Sequence, residues 1–184
     1  MKLSPEELHI LSFYRASELA GSMLLGKLAL HTNHDHLRVP LTEQCLEEAK
    51  HAWMLTETIH KLGAVPLKIT QTYQSELGKI YGLPDSTVDI LCLTRVLEVV
   101  ALETYQKHVA MRGVTPAVKE TLEAIIQDEV GHIDWIQAEL DKYASGPEGQ
   151  KVRAAIAASE AASRTVSEKF YENPIIQRYL ELVT

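Results

Sequence analysis

The stretch QDEVGHIDW, residues 127–135, sets three carboxylates and a histidine into what otherwise reads as an apolar helix, with LEAII before it and IQAEL after it. Counting in threes and fours from Val118 gives Leu122, Ile125, Glu129, His132, Ile136, Leu140 and Tyr143. Glu129 and His132 therefore fall on the face that an amphipathic helix buries. The pattern occurs twice: Glu47-Glu48-Ala-Lys-His51 matches Asp128-Glu129-Val-Gly-His132. Residues three apart lie one turn apart on one helix face, so each Glu-x-x-His turns both side chains the same way.

Working outward, helix signals recur and strand signals are weak. Ser4-Pro5-Glu6-Glu7 is a capping box with proline at the first helical position. It opens a helix whose stripe is Leu11, Tyr14, Glu18, Gly21, Leu25 and Leu28, fading in HTNHDHLRVP. A second helix runs from about Leu41 to Lys61, with Gly63 as C-cap and Pro66 beyond. Its stripe is Leu41, Cys45, Glu48, Ala52, Leu55, Ile59 and Leu62, with His51 beside Ala52. A connection from Ala64 to Asp85 has room for a short helix in QSELGKIYG. The third helix spans Ser86 to Gly113 and carries Leu91, Glu98, Ala101, Leu102 and Tyr105 on one face. The fourth starts at Thr115-Pro116 and stops near Gly146-Pro147. An alanine-rich fifth follows from about Glu148 to Phe170, and NPIIQRYLEL is expected to add a last turn or two.

Short links make antiparallel hairpins of helices 1–2 and 3–4, while the 22-residue link can carry the chain back so that helices 2 and 3 run parallel. The expectation is an all-α protein of one domain, residues 1–184: a four-helix bundle over about 5–144 and a helical extension over about 147–184.

Each of the four stripes carries one glutamate near its midpoint: Glu18, Glu48, Glu98 and Glu129. Four carboxylates cannot leave water without compensation, and no lysine or arginine shares their faces, Arg95 pointing partly sideways. A pair of divalent cations supplies the missing charge, and oxygen donors with His51 and His132 suit iron or manganese. A ligating imidazole normally gives its other N–H to a carboxylate. Asp128 is expected to orient His51 across the bundle, and Glu47 to orient His132.

With these motifs the chain resembles the ferritin-like superfamily over residues 5–143. DEVGHIDWIQAEL is similar to the fourth helix of bacterioferritins, and KHAWMLTETIHKLGAVP to the second helix of bacterioferritins and rubrerythrins. The resemblance implies a ferritin-like bundle with metal ligands Glu18, Glu48, His51, Glu98, Glu129 and His132, Glu48 and Glu129 bridging two iron ions, or manganese or a mixed pair. It also implies activation of O2 or peroxide for two-electron oxidation, as an oxidase or monooxygenase acting on a small organic substrate with an external electron donor. The alternatives are a ferroxidase subunit of an iron-storage cage, a rubrerythrin-like peroxidase, and a helical scaffold that its metals merely hold together. Two departures bear on these. Bacterioferritins carry a haem-ligating methionine just after the helix-2 glutamate, where this chain has Ala49, so no haem is expected; and the Cys-rich module of rubrerythrins is missing.

Other polar and aromatic residues have plainer roles. Glu103 lies about 140° around the helix from Glu98, so both cannot face inward, and Glu98 is preferred. Tyr14 and Tyr105 are candidate catalytic residues, bonding a ligand carboxylate or relaying an electron. Gly21, Ser22 and Ala101 leave space for a substrate. His31, His34 and His36 around Asp35 are read as a polar loop, His9, His60 and His108 as surface groups, and Trp53 and Trp135 as packing. Cys45 and Cys92 read as buried thiols. A net charge of −7 speaks against nucleic acid or an anionic membrane as partner. No apolar run reaches membrane-spanning length and MKLSPEELHI has no signal core, so a cytoplasmic protein is expected, with a homodimer among its open assembly states.

Overall fold

In the computed structural model, residues 2–82, 84 and 86–183 are described, the last two by backbone alone, and the elements among them are helices. Asp85, where the long connection was expected to end, lies outside the described residues. In order come α1 (Pro5–His31), a 3-10 turn (Asp35–Leu37), α2 (Arg38–Lys61), α3 (Tyr73–Tyr81), α4 (Thr87–Ala110), α5 (Pro116–Ala144), α6 (Gly149–Tyr171) and α7 (Pro174–Val183).

The packing fixes the topology. One apolar cluster joins Ile10 and Leu11 of α1, Leu55 and Ile59 of α2, Tyr105 of α4, and Leu122 and Ile125 of α5. A second joins Leu25 and Leu28, Leu37 and Leu41, Leu91, and Ile136 and Leu140. The start of α1 thus meets the end of α2, and the start of α5 meets the end of α4. Both hairpins are antiparallel, and α2 and α4 run the same way. Between the two apolar plugs lies the level of the four mid-stripe glutamates.

Local signals explain the ends. Gly63 adopts φ +79° after α2, and the Ala64 N–H reaches the Ile59 carbonyl at 3.1 Å, a left-handed helix stop that glycine makes without strain. Ser4 Oγ accepts the Glu7 N–H at 3.0 Å, but the Glu7 side chain does not complete the expected capping box. It crosses to the start of α5, where it accepts from Thr115 N–H at 3.2 Å and from Thr115 Oγ1 at 2.8 Å. One buried carboxylate from the first turn of α1 thus satisfies the beginning of α5.

The C-terminal segments pack onto the bundle. α6 sends Val152 and Ala155 into the second cluster, and Ala162 and Val166 against Tyr73 and Leu77 of α3. α7 is a ten-residue helix, longer than the turn or two expected. Asn173 Oδ1 accepts the Ile175 N–H at 2.9 Å, Pro174 presets the first turn, and Ile176 and Tyr179 bury against α1. Among the described residues no helix is long and apolar enough to cross a membrane.

Candidate metal centre

Glu18, Glu48, Glu98, Glu129, His51 and His132 meet at the centre of the bundle, each 6% exposed or less. Their donor atoms form two overlapping groups, each lying within 4.8 Å: Glu18, Glu48, His51 and Glu129, and Glu48, Glu98, Glu129 and His132. Glu48 and Glu129 belong to both. Each imidazole turns Nδ1 inward. His51 Nδ1 is 3.5 Å from Glu18 Oε2 and 3.3 Å from Glu129 Oε1. His132 Nδ1 is 3.2 Å from Glu48 Oε1 and 3.3 Å from Glu129 Oε2. The outward Nε2 atoms meet carboxylates: Asp128 at 3.2 Å from His51, and Glu47 at 2.8 Å from His132. The rings stand 5.8 Å apart.

The electrostatics are those of crowded acids. Burial, with Glu98 and Glu18 beside it, pushes Glu48 well above the ordinary carboxylate range. Burial likewise raises Glu98 to about 8. Burial would also raise Glu129, but the adjacent His132 and His51 outweigh it and draw that group down to about 2. Burial would lower His51, yet the adjacent Glu129 and Glu18 carboxylates raise it to about 11, and His132 is raised further by Glu129, Glu48 and Glu98. The protein alone balances this layer by holding protons on Glu48 and Glu98 as well as on its imidazoles.

The donor set fits a cation better than it fits itself. His51 Nδ1 and Glu129 Oε1 are buried without a hydrogen-bond partner, although both point into the cluster. Orphaned buried polar atoms are uncommon and costly. Nitrogen and oxygen donors of this kind, shared between two groups, are what a pair of divalent ions requires. Arg95, one turn before Glu98, turns away to Gln137 and Glu160.

Around this centre the structure adds and corrects. Gln44, not Cys45, occupies the inner position of α2, at 1% exposure. Its amide N–H donates to Glu98 Oε1 at 2.7 Å, and its carbonyl accepts the Trp135 indole N–H at 3.0 Å. Cys45 is half-buried and Cys92 buried, both as free thiols. Trp135 is therefore more than packing, and Trp53 is not packing at all: at 63% exposure it continues the outer stripe of Val39 and Leu46. His108, read as a surface group, is buried between Tyr14 Oη at 3.2 Å and Tyr179 Oη at 2.7 Å. The cause is α7, which delivers Tyr179. Tyr105 donates to Glu18. Tyr14 bonds His108 instead and lies edge-on to Tyr105 at 4.9 Å. Glu103 is exposed and pairs with Lys107. His36 bonds Glu139 at 2.6 Å and His34 reaches Tyr143 at 3.4 Å, an arrangement of ordinary loop contacts.

Beside the cluster, in the seam between α1 and α4, lies a partly open cavity of about 140 Å³ flanked by α3 and α6. Glu18, Glu48 and Glu98 form its inner wall, and Gly21 and Ala101 line it. Ser22 does not; its hydroxyl donates to the Cys45 carbonyl at 2.8 Å and ties α1 to α2.

Compared with known families, the chain matches the model of the Ferritin-like domain over residues 28–145. No curated protein matches it. The match covers well over half of the 184 residues, and the chain belongs to the ferritin-like family. It spans α2 to α5, and so holds every member of the central cluster except Glu18.

Proposed function

We propose that this chain is a di-metal oxidoreductase that activates O2 or peroxide for the two-electron oxidation of a small organic molecule. One observation carries the reading: two four-donor groups share Glu48 and Glu129, so these six residues would hold two cations. Iron or manganese bound there would supply one electron from each ion and open positions for O2 or peroxide.

The chain's own residues have distinct tasks. Asp128 and Glu47 hold the outer imidazole nitrogens and so aim Nδ1 of His51 and His132 inward. Tyr105 steers Glu18 by its hydroxyl, and Gln44, itself fixed by Trp135, steers Glu98. Tyr14 extends the aromatic contact from Tyr105 toward His108, a path for an electron from an external donor. The cavity brings a substrate against Glu18, Glu48 and Glu98. It is this cavity that favours oxidation of an organic molecule over iron storage or a scaffold role.

The test is anaerobic loading with ferrous iron, followed by O2 consumption. The reading expects uptake that depends on both Glu129 and His132 and a particle of one or two chains. Uptake unchanged in Glu129→Ala, or a hollow many-subunit shell on size exclusion, would overturn it.

A further inference from the structure

Laid over one another, Glu47-Glu48-Ala49-Lys50-His51 and Asp128-Glu129-Val130-Gly131-His132 agree in their acids and histidines and differ in charge at one position. Lys50 stands where the second copy has Gly131. The end of α2 packs with the start of α5, so the two helices run antiparallel and the copies face each other across a local two-fold axis. Each copy sends its first acid to the other's histidine, Asp128 to His51 and Glu47 to His132.

Lys50 breaks this symmetry. Its ammonium lies 3.3 Å from Asp128 Oδ2, the same oxygen that stands 3.2 Å from His51 Nε2. Glu47 Oε2 meets His132 Nε2 at 2.8 Å, and among the described residues no lysine or arginine pairs with it. Glu47 is the more solvated of the two acids, 44% exposed against 32% for Asp128. Water screens its charge but leaves a net negative group behind His132, whereas Asp128 and Lys50 together sum to zero behind His51.

Nothing else in the two donor groups offsets the difference. Glu18 accepts from one neutral donor, the Tyr105 hydroxyl, and Glu98 from one, the Gln44 amide. Glu48 and Glu129 are common to both groups. Both groups border the same cavity, through Glu18 and Glu98, so access from that side does not rank them.

A carboxylate behind an imidazole raises the basicity of the ligating nitrogen and tightens the metal it holds. We propose that Lys50 ranks the two metal positions: the one with Glu98 and His132 fills first, and the one with Glu18 and His51 holds its divalent ion more weakly. The ranking deepens the di-metal reading and rests on it.

The test counts ions at each position and needs no turnover. The full chain, freed of metal by chelation, is crystallised with half an equivalent of manganese(II), and the anomalous signal at the manganese edge is integrated at both positions. In the wild type the peak beside His132 should exceed the peak beside His51 about tenfold, the lower end of what an outer carboxylate contributes to metal affinity. Lys50→Gln should bring the two peaks close to equal. A side chain at Gly131 would meet nothing within 4 Å at its Cβ, so Gly131→Lys gives the second copy the lysine it lacks, and combined with Lys50→Gln it should reverse the order. Positions 50 and 131 are both exposed, where substitutions seldom unfold a protein. Equal peaks in the wild type, a stronger peak beside His51, or a ratio that Lys50→Gln does not move would overturn the proposal and leave the di-metal reading standing. Signal at neither position would refute that reading, and the ranking with it.

Discussion

His108 makes protein stability depend on pH in a way that can be worked out beforehand. The imidazole is 1% exposed. It faces Tyr14 from α1 and Tyr179 from α7, and Tyr179 Oη in turn reaches Glu7 Oε1 at 3.4 Å. One direction satisfies every group: Tyr14 donates to Nδ1, Nε2–H donates to Tyr179, and Tyr179 donates to Glu7. That is a neutral imidazole. A second ring proton would force Tyr14 to accept, leaving its own hydrogen without a partner. Burial accordingly lowers His108 from the ordinary 6.5 to about 4. Between those values the unfolded chain binds the proton and the folded chain does not. Stability contributed by the neutral ring is therefore complete above pH 6.5 and is lost as pH falls toward 4. At 1.36 kcal/mol per pKa unit the loss is about 3 kcal/mol. Urea unfolding of wild type and His108→Gln from pH 7.5 to 4.5 measures it as the difference between two profiles, which cancels the titration of other groups. The glutamine variant should be the less stable at pH 7.5, and the gap should close or reverse toward pH 4.5. Parallel profiles would refute the reasoning.

Three further outcomes are expected. Asp128→Asn and Glu47→Gln should each weaken divalent-metal binding by about tenfold to a hundredfold with the helical content kept, as titration with circular dichroism will show. Glu98→Gln should abolish binding at one of the two positions, whereas Glu103→Gln, at an exposed site paired with Lys107, should leave metal stoichiometry unchanged. Val39, Leu46 and Trp53 form an exposed apolar stripe at seven-residue spacing on α2, so sedimentation velocity should find a dimer in the wild type and a monomer in Trp53→Glu.

The sequence made the bundle legible because its period is strong: each stripe breaks its apolar run at one level, and the antiparallel hairpins bring those levels together. Glu47 and Asp128 were legible for the same reason, each preceding a Glu-x-x-His glutamate and so turned toward the neighbouring helix. What escaped was set by tertiary context. Gln44 and Cys45 are adjacent on α2, and a rule that prefers apolar residues inside selects Cys45. Next to buried carboxylates the inner position instead favours a hydrogen-bond donor. His108 lies three residues after Tyr105 on the same face, but its burial depends on Tyr179, seventy-one residues further on. Trp53 reads as a packing residue in isolation, whereas its seven-residue register with Leu46 sets it on the outer surface. Ser22 follows Gly21 by one residue, a rotation of about 100°, which is enough to turn it from the cavity to the Cys45 carbonyl.

The central claim is that four glutamates and two histidines gathered between two apolar plugs are there to hold two divalent cations. Anomalous diffraction at the iron and manganese edges, on crystals of protein whose metal content is known, tests it most directly. The account predicts two peaks, one among Glu18, Glu48, His51 and Glu129 and the other among Glu48, Glu98, Glu129 and His132. A bundle centre without anomalous signal in crystals grown with either metal, or a peak only at the His34–His36 turn, would contradict it.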